Sequence, residues 1–166
     1  MPEKKYILTA NEAKQKLKRM SLEIAESLSG LEGPLFLIGV QNSGMVIANE
    51  LGGLLRPYLN KSVKILSVNL NKQSPDKVEL SELVQLNGAN IILIDDVTNS
   101  GKTLLYALKP LLDAHPKTIQ TLVLVERMHK LFPVKPDFVG LSISTTVEEH
   151  IQVETINGEI IGAYVV

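Results

Sequence analysis

Apolar residues that favour β-structure recur along the chain in short, continuous runs at wide spacing. The runs occupy residues 35–40, 63–70, 91–94 and 121–125, with a shorter fifth at 138–143. Continuous apolar runs are typical of strands that are buried on both faces of a sheet. Amphipathic helical patterns lie between the runs, at about residues 44–55 and 102–112. Strands that alternate with helices predict an α/β fold, a parallel sheet flanked by helices.

A capping motif predicts a first helix near the N-terminus. Thr9 is followed three residues later by Glu12, which is the signature of a capping box. Apolar residues then recur at steps of three and four until about Gly30, as on the buried face of an amphipathic helix.

Two further segments fall outside the alternation of strands and helices. Residues 71–79 are polar, which predicts a mobile loop. Apolar stretches at 151–156 and 160–165 flank Asn157 and Gly158, a pair that accommodates a tight turn with positive φ. We therefore predict a small terminal hairpin, or hood, beside the main sheet.

Length and composition favour one domain over residues 1–166, located in the cytoplasm. A chain of 166 residues is long enough to bury one hydrophobic core. Its apolar runs are much shorter than the about 20 residues that cross a bilayer, so no membrane role is expected. Residues 1–6 lead into no apolar signal-like stretch, and the absence of cysteine removes disulfides and thiolate metal sites.

The charge balance argues against a protein that binds nucleic acid through an overall positive field. Lysine and arginine number 17 against 18 acidic residues, which leaves a net charge of −1. Nucleic-acid binding needs several basic side chains on one face, so RNA is not a favoured partner, although a local basic patch stays open. The three histidines are widely spaced in the sequence and do not indicate a transition-metal site.

One turn carries most of the chemistry. The apolar run at 91–94 ends in two adjacent carboxylates, and a short turn rich in hydroxyl groups then leads into a helix. Ligands of open parallel sheets bind beyond the carboxyl ends of the strands, where helix N-termini hold phosphate groups. Carboxylates accept hydrogen bonds from sugar hydroxyls. The predicted ribose-5-phosphate site comprises Asp95, Asp96, Val97, Thr98, Asn99, Ser100, Gly101, Lys102 and Thr103.

Two other interpretations of this turn are available. The residues from Ser100 to Thr103 mimic the tail of a P-loop, but that motif requires glycine at position 96, where the chain has Asp96. An ordinary strand-turn-helix corner would explain the hydroxyl groups and Gly101. It would not explain two adjacent acids at the end of a buried strand, because an uncompensated buried carboxylate is costly.

The stretch 91–103 resembles the diphosphoribose-binding signature of the type I phosphoribosyltransferases. In that family the two acids bind the ribose 2′- and 3′-hydroxyls, roles that fall on Asp95 and Asp96, and the following turn binds the 5′-phosphate. Residues 126–130 and 136–140 are similar to later segments of the bifunctional pyrimidine-operon regulator/uracil phosphoribosyltransferase group. The pentapeptide 136–140 also occurs in hypoxanthine phosphoribosyltransferases.

The resemblance implies an enzyme that transfers 5-phosphoribosyl from phosphoribosyl diphosphate to a free nucleobase and yields a nucleoside monophosphate and diphosphate. Asp95 and Asp96 would be the catalytic residues, because they hold the sugar and their charge favours a cationic ring. The cofactor implied is Mg²⁺, which Asp95 and Asp96 would hold through water or through the substrate. A homodimer or higher homo-oligomer is also expected.

The diphosphate would bind at a second turn, formed by Gln41, Asn42, Ser43 and Gly44. The regulator-like proteins carry lysine or arginine there, whereas these four residues supply no cation. We therefore expect low activity. Either Lys72 or Lys77 of the polar loop could supply charge when that loop closes, or could simply solvate the loop.

The nucleobase would lie against Phe138 and Val139, with Arg127 facing the site. A lone phenylalanine in an apolar strand is also a common core residue, and that alternative stays open. Uracil is favoured by the resemblance, and the shared pentapeptide keeps a purine open.

Two non-catalytic alternatives stay open beside the enzyme. One is a nucleotide-sensing regulator of pyrimidine genes that binds RNA. The other is a phosphoribosyl-binding protein that has lost turnover, because its diphosphate turn lacks a cation.

Overall fold

A computed structural model describes residues 2–71 and 73–166, and within these ranges the chain forms three α-helices and nine strands. The helices are α1 (Ala10–Ser27), α2 (Gln41–Leu55) and α3 (Lys102–Leu112). The strands are β1 (Lys5–Thr9), β2 (Leu35–Val40), β3 (Val63–Leu70), β4 (Val78–Leu80), β5 (Asn90–Thr98), β6 (Thr118–Arg127), β7 (Phe138–Ile143), β8 (Ile151–Ile156) and β9 (Glu159–Val165).

Six strands form the central sheet, in the order β4-β3-β2-β5-β6-β7. The five strands from β3 to β7 in that order run parallel, and β4 joins the edge antiparallel to β3. Apolar side chains cover both faces. One core cluster packs the sheet against α1 and α2, and the other packs it against α3. The predicted α/β fold with a parallel sheet flanked by helices is confirmed.

A second sheet, in the order β1-β9-β8, forms the predicted hood. The strands β8 and β9 are a hairpin whose turn residues, Asn157 and Gly158, have φ values of 51° and 77°. Both values lie in the left-handed region that a tight turn of this kind requires. The strand β1 adds to the hairpin by pairing with β9, and the hood contacts α1, α2 and the strand β5.

The capping box at the start of α1 is present as the sequence predicts. The Thr9 hydroxyl accepts a hydrogen bond from the Glu12 amide at 3.2 Å, and the Glu12 carboxylate accepts one from the Thr9 amide at 2.8 Å. These hydrogen bonds satisfy donors that a helix N-terminus otherwise leaves unpaired. The apolar stripe that follows is buried against the sheet, so this local motif fixes where α1 begins.

Three boundaries differ from the sequence prediction. The helix α2 begins at Gln41, three residues before Gly44, and the polar loop is shortened because Val78–Leu80 pairs with β3. The strand β5 extends to Thr98, so both carboxylates lie on the strand itself. In the described part of the chain no helix is long and apolar enough to cross a membrane.

Candidate functional site

Two turns meet at the edge of the central sheet where the parallel strands have their carboxyl ends. The β5–α3 turn (residues 95–103) follows the central strand β5, and the β2–α2 turn (residues 39–44) follows its neighbour β2. Because adjacent parallel strands end at the same edge, the two turns lie side by side. This edge is the usual ligand-binding position of an open α/β sheet.

Two glycines allow this close approach. A β-carbon built on Gly44 would lie 2.7 Å from the carbonyl oxygen of Ile94 and 3.5 Å from Cα of Asp95. A β-carbon on Gly39 would lie 2.7 Å from the carbonyl oxygen of Gly44. The backbone of the first turn of α2 therefore packs directly against the end of β5, which a larger residue at position 44 would prevent.

The two carboxylates occupy different environments. Asp95 is 1% exposed, and its Oδ1 accepts a hydrogen bond from the Asp96 amide at 2.9 Å. Asp96 is half-buried, and its Oδ1 accepts a hydrogen bond from the Val97 amide at 2.8 Å. Backbone amides thus fix the orientation of both side chains on the strand. Acidic groups held this way can accept hydrogen bonds from sugar hydroxyls without further rearrangement.

A small cavity of about 70 Å³ lies within the β5–α3 turn. It is lined by Asp95, Val97, Thr98, Asn99, Ser100, Gly101, Thr103 and Leu104. Thr98 is 3% exposed, and within the described ranges its Oγ1 has no hydrogen-bond partner. A buried hydroxyl without a partner is unfavourable, and an oxygen that accepts its hydrogen bond would satisfy it.

The start of α3 suits a phosphate group. Gly101 precedes the helix with a φ of 86°, and the Lys102 amide donates to Ser100 Oγ at 3.2 Å. The first turn of a helix presents amide donors and a partial positive charge, which together bind anions. Seven of the nine residues predicted for the ribose-5-phosphate site line this cavity, and the other two, Asp96 and Lys102, lie in the same turn.

A segment that the sequence did not single out for this role braces the turn. We call residues 128–134 the bracing segment. The amides of Leu131 and Phe132 both donate to the carbonyl oxygen of Ser100 at 3.0 Å. A β-carbon on Gly101 would lie 3.2 Å from the carbonyl oxygen of Phe132. The bracing segment therefore lies directly against the backbone of the β5–α3 turn.

The bracing segment is anchored by a buried ion pair. Glu126 is 6% exposed and forms an ion pair with Lys130, and its Oε2 accepts a hydrogen bond from Ser142 Oγ at 2.8 Å. Burial alone would raise the pKa of Glu126, but the hydrogen bonds from Lys130 and Ser142 hold that pKa below its ordinary value. Sequence reasoning missed this cluster. A spacing of four residues brings side chains together only on a helix, and Glu126 lies on the strand β6, so the sequence carried no local signal for this pair.

The β2–α2 turn is arranged differently from the predicted loop. Gln41 begins α2 with a φ of 47°, and its Nε2 donates to the carbonyl oxygen of Leu70 at the end of β3. Asn42 is exposed and Ser43 is half-buried, and no side chain caps the helix. The four residues predicted to bind diphosphate do lie together beside Asp95. They contribute amides and polar side chains but no charge.

The residues predicted for the nucleobase do not form one surface. Phe138 is 6% exposed and belongs to the core cluster beneath α1 and α2, which is the alternative that the sequence left open. The carbonyl oxygen of Val139 accepts a hydrogen bond from Arg19 at 2.9 Å. Arg127 donates to the carbonyl oxygen of Thr146, in the loop after β7. The base-binding roles of Phe138, Val139 and Arg127 stay predictions.

The polar loop of residues 71–79 is described only in part. Lys72, one of the two predicted loop cations, lies outside the described residues. Lys77 forms an ion pair with Glu79 at 2.8 Å, and its side chain is 84% exposed. Within residues 2–71 and 73–166, no group of three or more His, Cys, Asp or Glu side chains could hold a metal by itself.

Comparison with known proteins gives matches to one family. Residues 4–156 match the phosphoribosyl transferase domain. The bifunctional protein PyrR of Thermus thermophilus is 31% identical over 168 aligned residues, which cover 94% of this chain and 92% of that protein. The bifunctional protein PyrR 1 of Lactiplantibacillus plantarum is 32% identical and covers 89% of this chain and 88% of its own length.

Solved structures share the fold at lower identity. A hypoxanthine phosphoribosyltransferase from Trypanosoma cruzi superposes with a TM-score of 0.78 at 18% identity, covering 96% of this chain and 94% of that one. A hypoxanthine-guanine phosphoribosyltransferase from Bacillus anthracis gives 0.70 at 21% identity, covering 86% and 84%. Both likenesses cover most of this chain.

Proposed function

The chain belongs to the phosphoribosyl transferase domain family, and we propose that it transfers a 5-phosphoribosyl group from phosphoribosyl diphosphate to a free nucleobase. The observation that carries the proposal is the β5–α3 turn. It joins two carboxylates oriented by backbone amides to a cavity of about 70 Å³ lined by Thr98, whose buried hydroxyl has no hydrogen-bond partner among the described residues. A ribose 5-phosphate would present its sugar hydroxyls to the two carboxylates and its phosphate oxygens to the cavity.

The proposed reaction is a displacement at C1′ of the ribose. A ring nitrogen of the base forms a bond to C1′, and the bond from C1′ to the diphosphate oxygen breaks, so diphosphate leaves with the electron pair. Asp95 and Asp96 hold the sugar, and their negative charge stabilises the positive charge that develops on the ring. No nucleophilic side chain is needed, and catalysis depends on position and charge.

Magnesium fits the donors of this site as a partner of the substrate. Carboxylate oxygens are the ligands that Mg²⁺ prefers, and the ion commonly binds through one or two carboxylates, several waters and substrate phosphates. Asp95 and Asp96 are the residues of this chain that would hold it, through water or through the sugar. When bound, the ion supplies positive charge to the departing diphosphate, which the β2–α2 turn itself does not.

The identity of the base is part of the proposal. The resemblance of residues 126–130 to the regulator group favours uracil. The solved structures with this fold are named for hypoxanthine and guanine, which supports testing purines as well. The experiment is therefore a panel of radiolabelled uracil, hypoxanthine, guanine and adenine with phosphoribosyl diphosphate and Mg²⁺. We expect one of the bases to give a nucleoside monophosphate. If none of them gives one, the proposed enzymatic activity is refuted.

A second candidate is a regulator that binds RNA, and a groove between α1 and α2 is the observation in its favour. The groove measures about 620 Å³ and is lined by Lys14, Lys18 and Arg19 and by the acid Glu50, although Arg19 is also ion-paired with Glu23. RNA binding through these cations would weaken steeply with salt. Titration of an RNA of natural leader sequence at 50 and 200 mM salt tests this candidate, and salt-independent or absent binding would exclude it.

We also propose a homodimer, which the family resemblance supports. A neighbouring subunit is one source for the positive charge that the β2–α2 turn lacks. Sedimentation velocity at micromolar concentration should give the mass of a dimer or larger oligomer. A monomer under these conditions would rule out a charge supplied across an interface.

A further inference from the structure

A buried carboxylate lies outside the turn that binds sugar and phosphate, and yet a continuous chain of contacts connects the two. Glu126 at the end of β6 pairs with Lys130, a member of the bracing segment, and both side chains are largely buried, at 8% and 13% exposed. The next two residues, Leu131 and Phe132, donate their amides to Ser100 in the β5–α3 turn. Only one peptide unit separates the ion pair from the donor groups.

The same cluster is fixed from the other side by β7. Ser142 Oγ donates to Glu126 Oε2 at 2.8 Å, and the Met128 amide donates to the carbonyl oxygen of Ile143 at 3.0 Å. Glu126 therefore ties the bracing segment to the two strands that flank it. Without this tie, the hydrogen bonds from Leu131 and Phe132 to Ser100 and the bond from Met128 to β7 would still hold the segment, but the side chain of Lys130 would no longer fix its position.

Burying the Glu126–Lys130 ion pair has a cost in desolvation free energy, so the pair contributes little to stability by itself. Desolvation of two charges offsets most of their attraction, so an apolar pair would serve stability equally well. A buried ion pair is instead suited to fixing one geometry. The geometry fixed here is that of two amides that converge on one carbonyl oxygen in a phosphate-binding turn, and a displacement of such a turn by 1 Å is enough to weaken binding.

We propose that Glu126 is a positioning residue for the ribose-phosphate site, acting through Lys130 and the bracing segment on the β5–α3 turn. The inference rests on the proposed function for the identity of the ligand. It assigns to Glu126 no contact with substrate. Its consequence is selective: ligands that use the β5–α3 turn should depend on Glu126, and a ligand that uses only the β2–α2 turn should not.

The test compares three variants with the wild type. Glu126→Gln removes the negative charge, Lys130→Met removes its partner, and Lys130→Arg preserves a cation. Lys109→Met is the matched control, because this lysine is exposed in the last turn of α3 and is not part of the Glu126 cluster. Calorimetry measures the affinity for ribose 5-phosphate and for inorganic pyrophosphate with Mg²⁺, and hydrogen exchange reports on peptides that contain residues 98–104.

Glu126→Gln and Lys130→Met should weaken ribose 5-phosphate binding about tenfold, which is the loss of about one stabilising interaction. Pyrophosphate affinity should stay within about twofold of the wild type, since that ligand does not need the braced turn. Amide exchange in residues 98–104 should quicken in both variants, because a turn without its brace opens more often. Lys130→Arg should recover most of the affinity, and Lys109→Met should behave as the wild type.

Unchanged exchange in residues 98–104 with both Glu126→Gln and Lys130→Met folded would overturn the inference. So would a loss of pyrophosphate affinity equal to the loss of ribose 5-phosphate affinity, which would indicate general damage to the protein. Hydrogen exchange needs no ligand. A wild type that fails to bind ribose 5-phosphate would therefore refute the proposed function while the exchange result still decides whether the brace exists.

Discussion

The two turns at the edge of the central sheet lie side by side but differ in their chemistry. The β5–α3 turn has two oriented carboxylates, a buried hydroxyl and a glycine that opens a helix N-terminus, and a separate segment braces its backbone. The β2–α2 turn has an uncharged Gln-Asn-Ser sequence at the start of a helix without a side-chain cap. Its one anchoring side chain, Gln41, reaches the end of β3.

This contrast predicts that binding of the sugar phosphate and departure of the diphosphate depend on different turns. The turn that would hold ribose 5-phosphate is specified in full by this chain, and the turn that would meet the diphosphate supplies only geometry. Binding of the sugar phosphate should therefore be strong relative to turnover. The charge needed for the departing diphosphate must come from Mg²⁺, from a loop lysine or from another subunit.

The largest effect expected comes from removing the carboxylates. The double variant Asp95→Asn with Asp96→Asn should weaken affinity for phosphoribosyl diphosphate at least about a hundredfold, since each hydrogen bond to a charged group contributes about 1.5–3 kcal/mol. The isosteric amides should leave the chain folded. Calorimetry measures the affinity, and Asp113→Asn, at the exposed far end of α3, is the matched control. Equal affinity in the double variant and the control would show that the ligand binds elsewhere.

The next effect tests the missing cation of the β2–α2 turn. Ser43→Arg places a charge in the first turn of α2, and one charge-assisted hydrogen bond in the transition state should raise kcat about ten- to a hundredfold. Binding of the nucleoside monophosphate, which carries no diphosphate, should hardly change. Single-turnover kinetics with the preferred base measures the gain.

A Ser43→Arg variant that folds normally and leaves kcat unaltered would show that charge already arrives from another source. Ser43→Gln is the appropriate control, because it adds length and polarity at the same position without charge. A gain in both variants would mean that the contact, and not its charge, was limiting.

The sequence predicted the central sheet well because its strands are buried on both faces. The bounds of β2, β3 and β7 agree with the apolar runs, and α3 begins and ends where its periodicity predicts. The strand β1 was missed because only Leu8 is buried in it, so its five residues carry no alternating pattern. The three residues of β4 are likewise too few to show a period.

The candidate site was likewise predictable from the sequence only in part. The β5–α3 turn could be predicted because all its chemistry lies in one contiguous stretch. The anchoring of the bracing segment could not, because Ser142 lies sixteen residues beyond Glu126 and only the pairing of β6 with β7 brings them together. The left-handed start of α2 at Gln41 was also missed, since a non-glycine residue seldom adopts such a φ.

Gly44 is the point where the two turns touch, and its replacement should affect both. Gly44→Ala places a β-carbon 2.7 Å from the carbonyl oxygen of Ile94, so α2 must shift away from β5. Forced overpacking of this kind costs about 1–3 kcal/mol. Urea unfolding measures the loss, and calorimetry should show weaker binding of both ribose 5-phosphate and pyrophosphate.

The control for this prediction lies in the same helix. A β-carbon on Gly53 has no neighbour within 4 Å, so Gly53→Ala should stabilise the protein by about 0.4–1 kcal/mol through helix propensity and a less flexible unfolded chain. The opposite signs of the two glycine variants distinguish a steric requirement from a general effect of alanine. Equal stability of both variants would refute the close approach of the two turns.

The smallest effect expected is a dependence of stability on pH that comes from Glu126, because the β2–α2 turn offers no titratable side chain to match it. The pKa of Glu126 is lowered in the folded protein, since hydrogen bonds from Lys130 and Ser142 outweigh its burial. A lowered pKa contributes stability that is fully present above the unfolded pKa of about 4.3 and is lost as the pH falls through the folded value.

In Lys130→Met the burial of Glu126 is no longer offset by the lysine, so the pKa of Glu126 should rise and protonation should favour the folded state. Thermal unfolding from pH 7 to pH 3 should therefore show wild type more stable than Lys130→Met at pH 7, by about 1 kcal/mol or more for a hydrogen bond to a charged group, with the gap closing below about pH 4. Glu12 and Glu149, whose pKa values are also lowered by hydrogen bonds, lose their contributions equally in both proteins and cancel in the difference. A gap that stays constant across this range would show that Lys130 acts by packing and not by its charge.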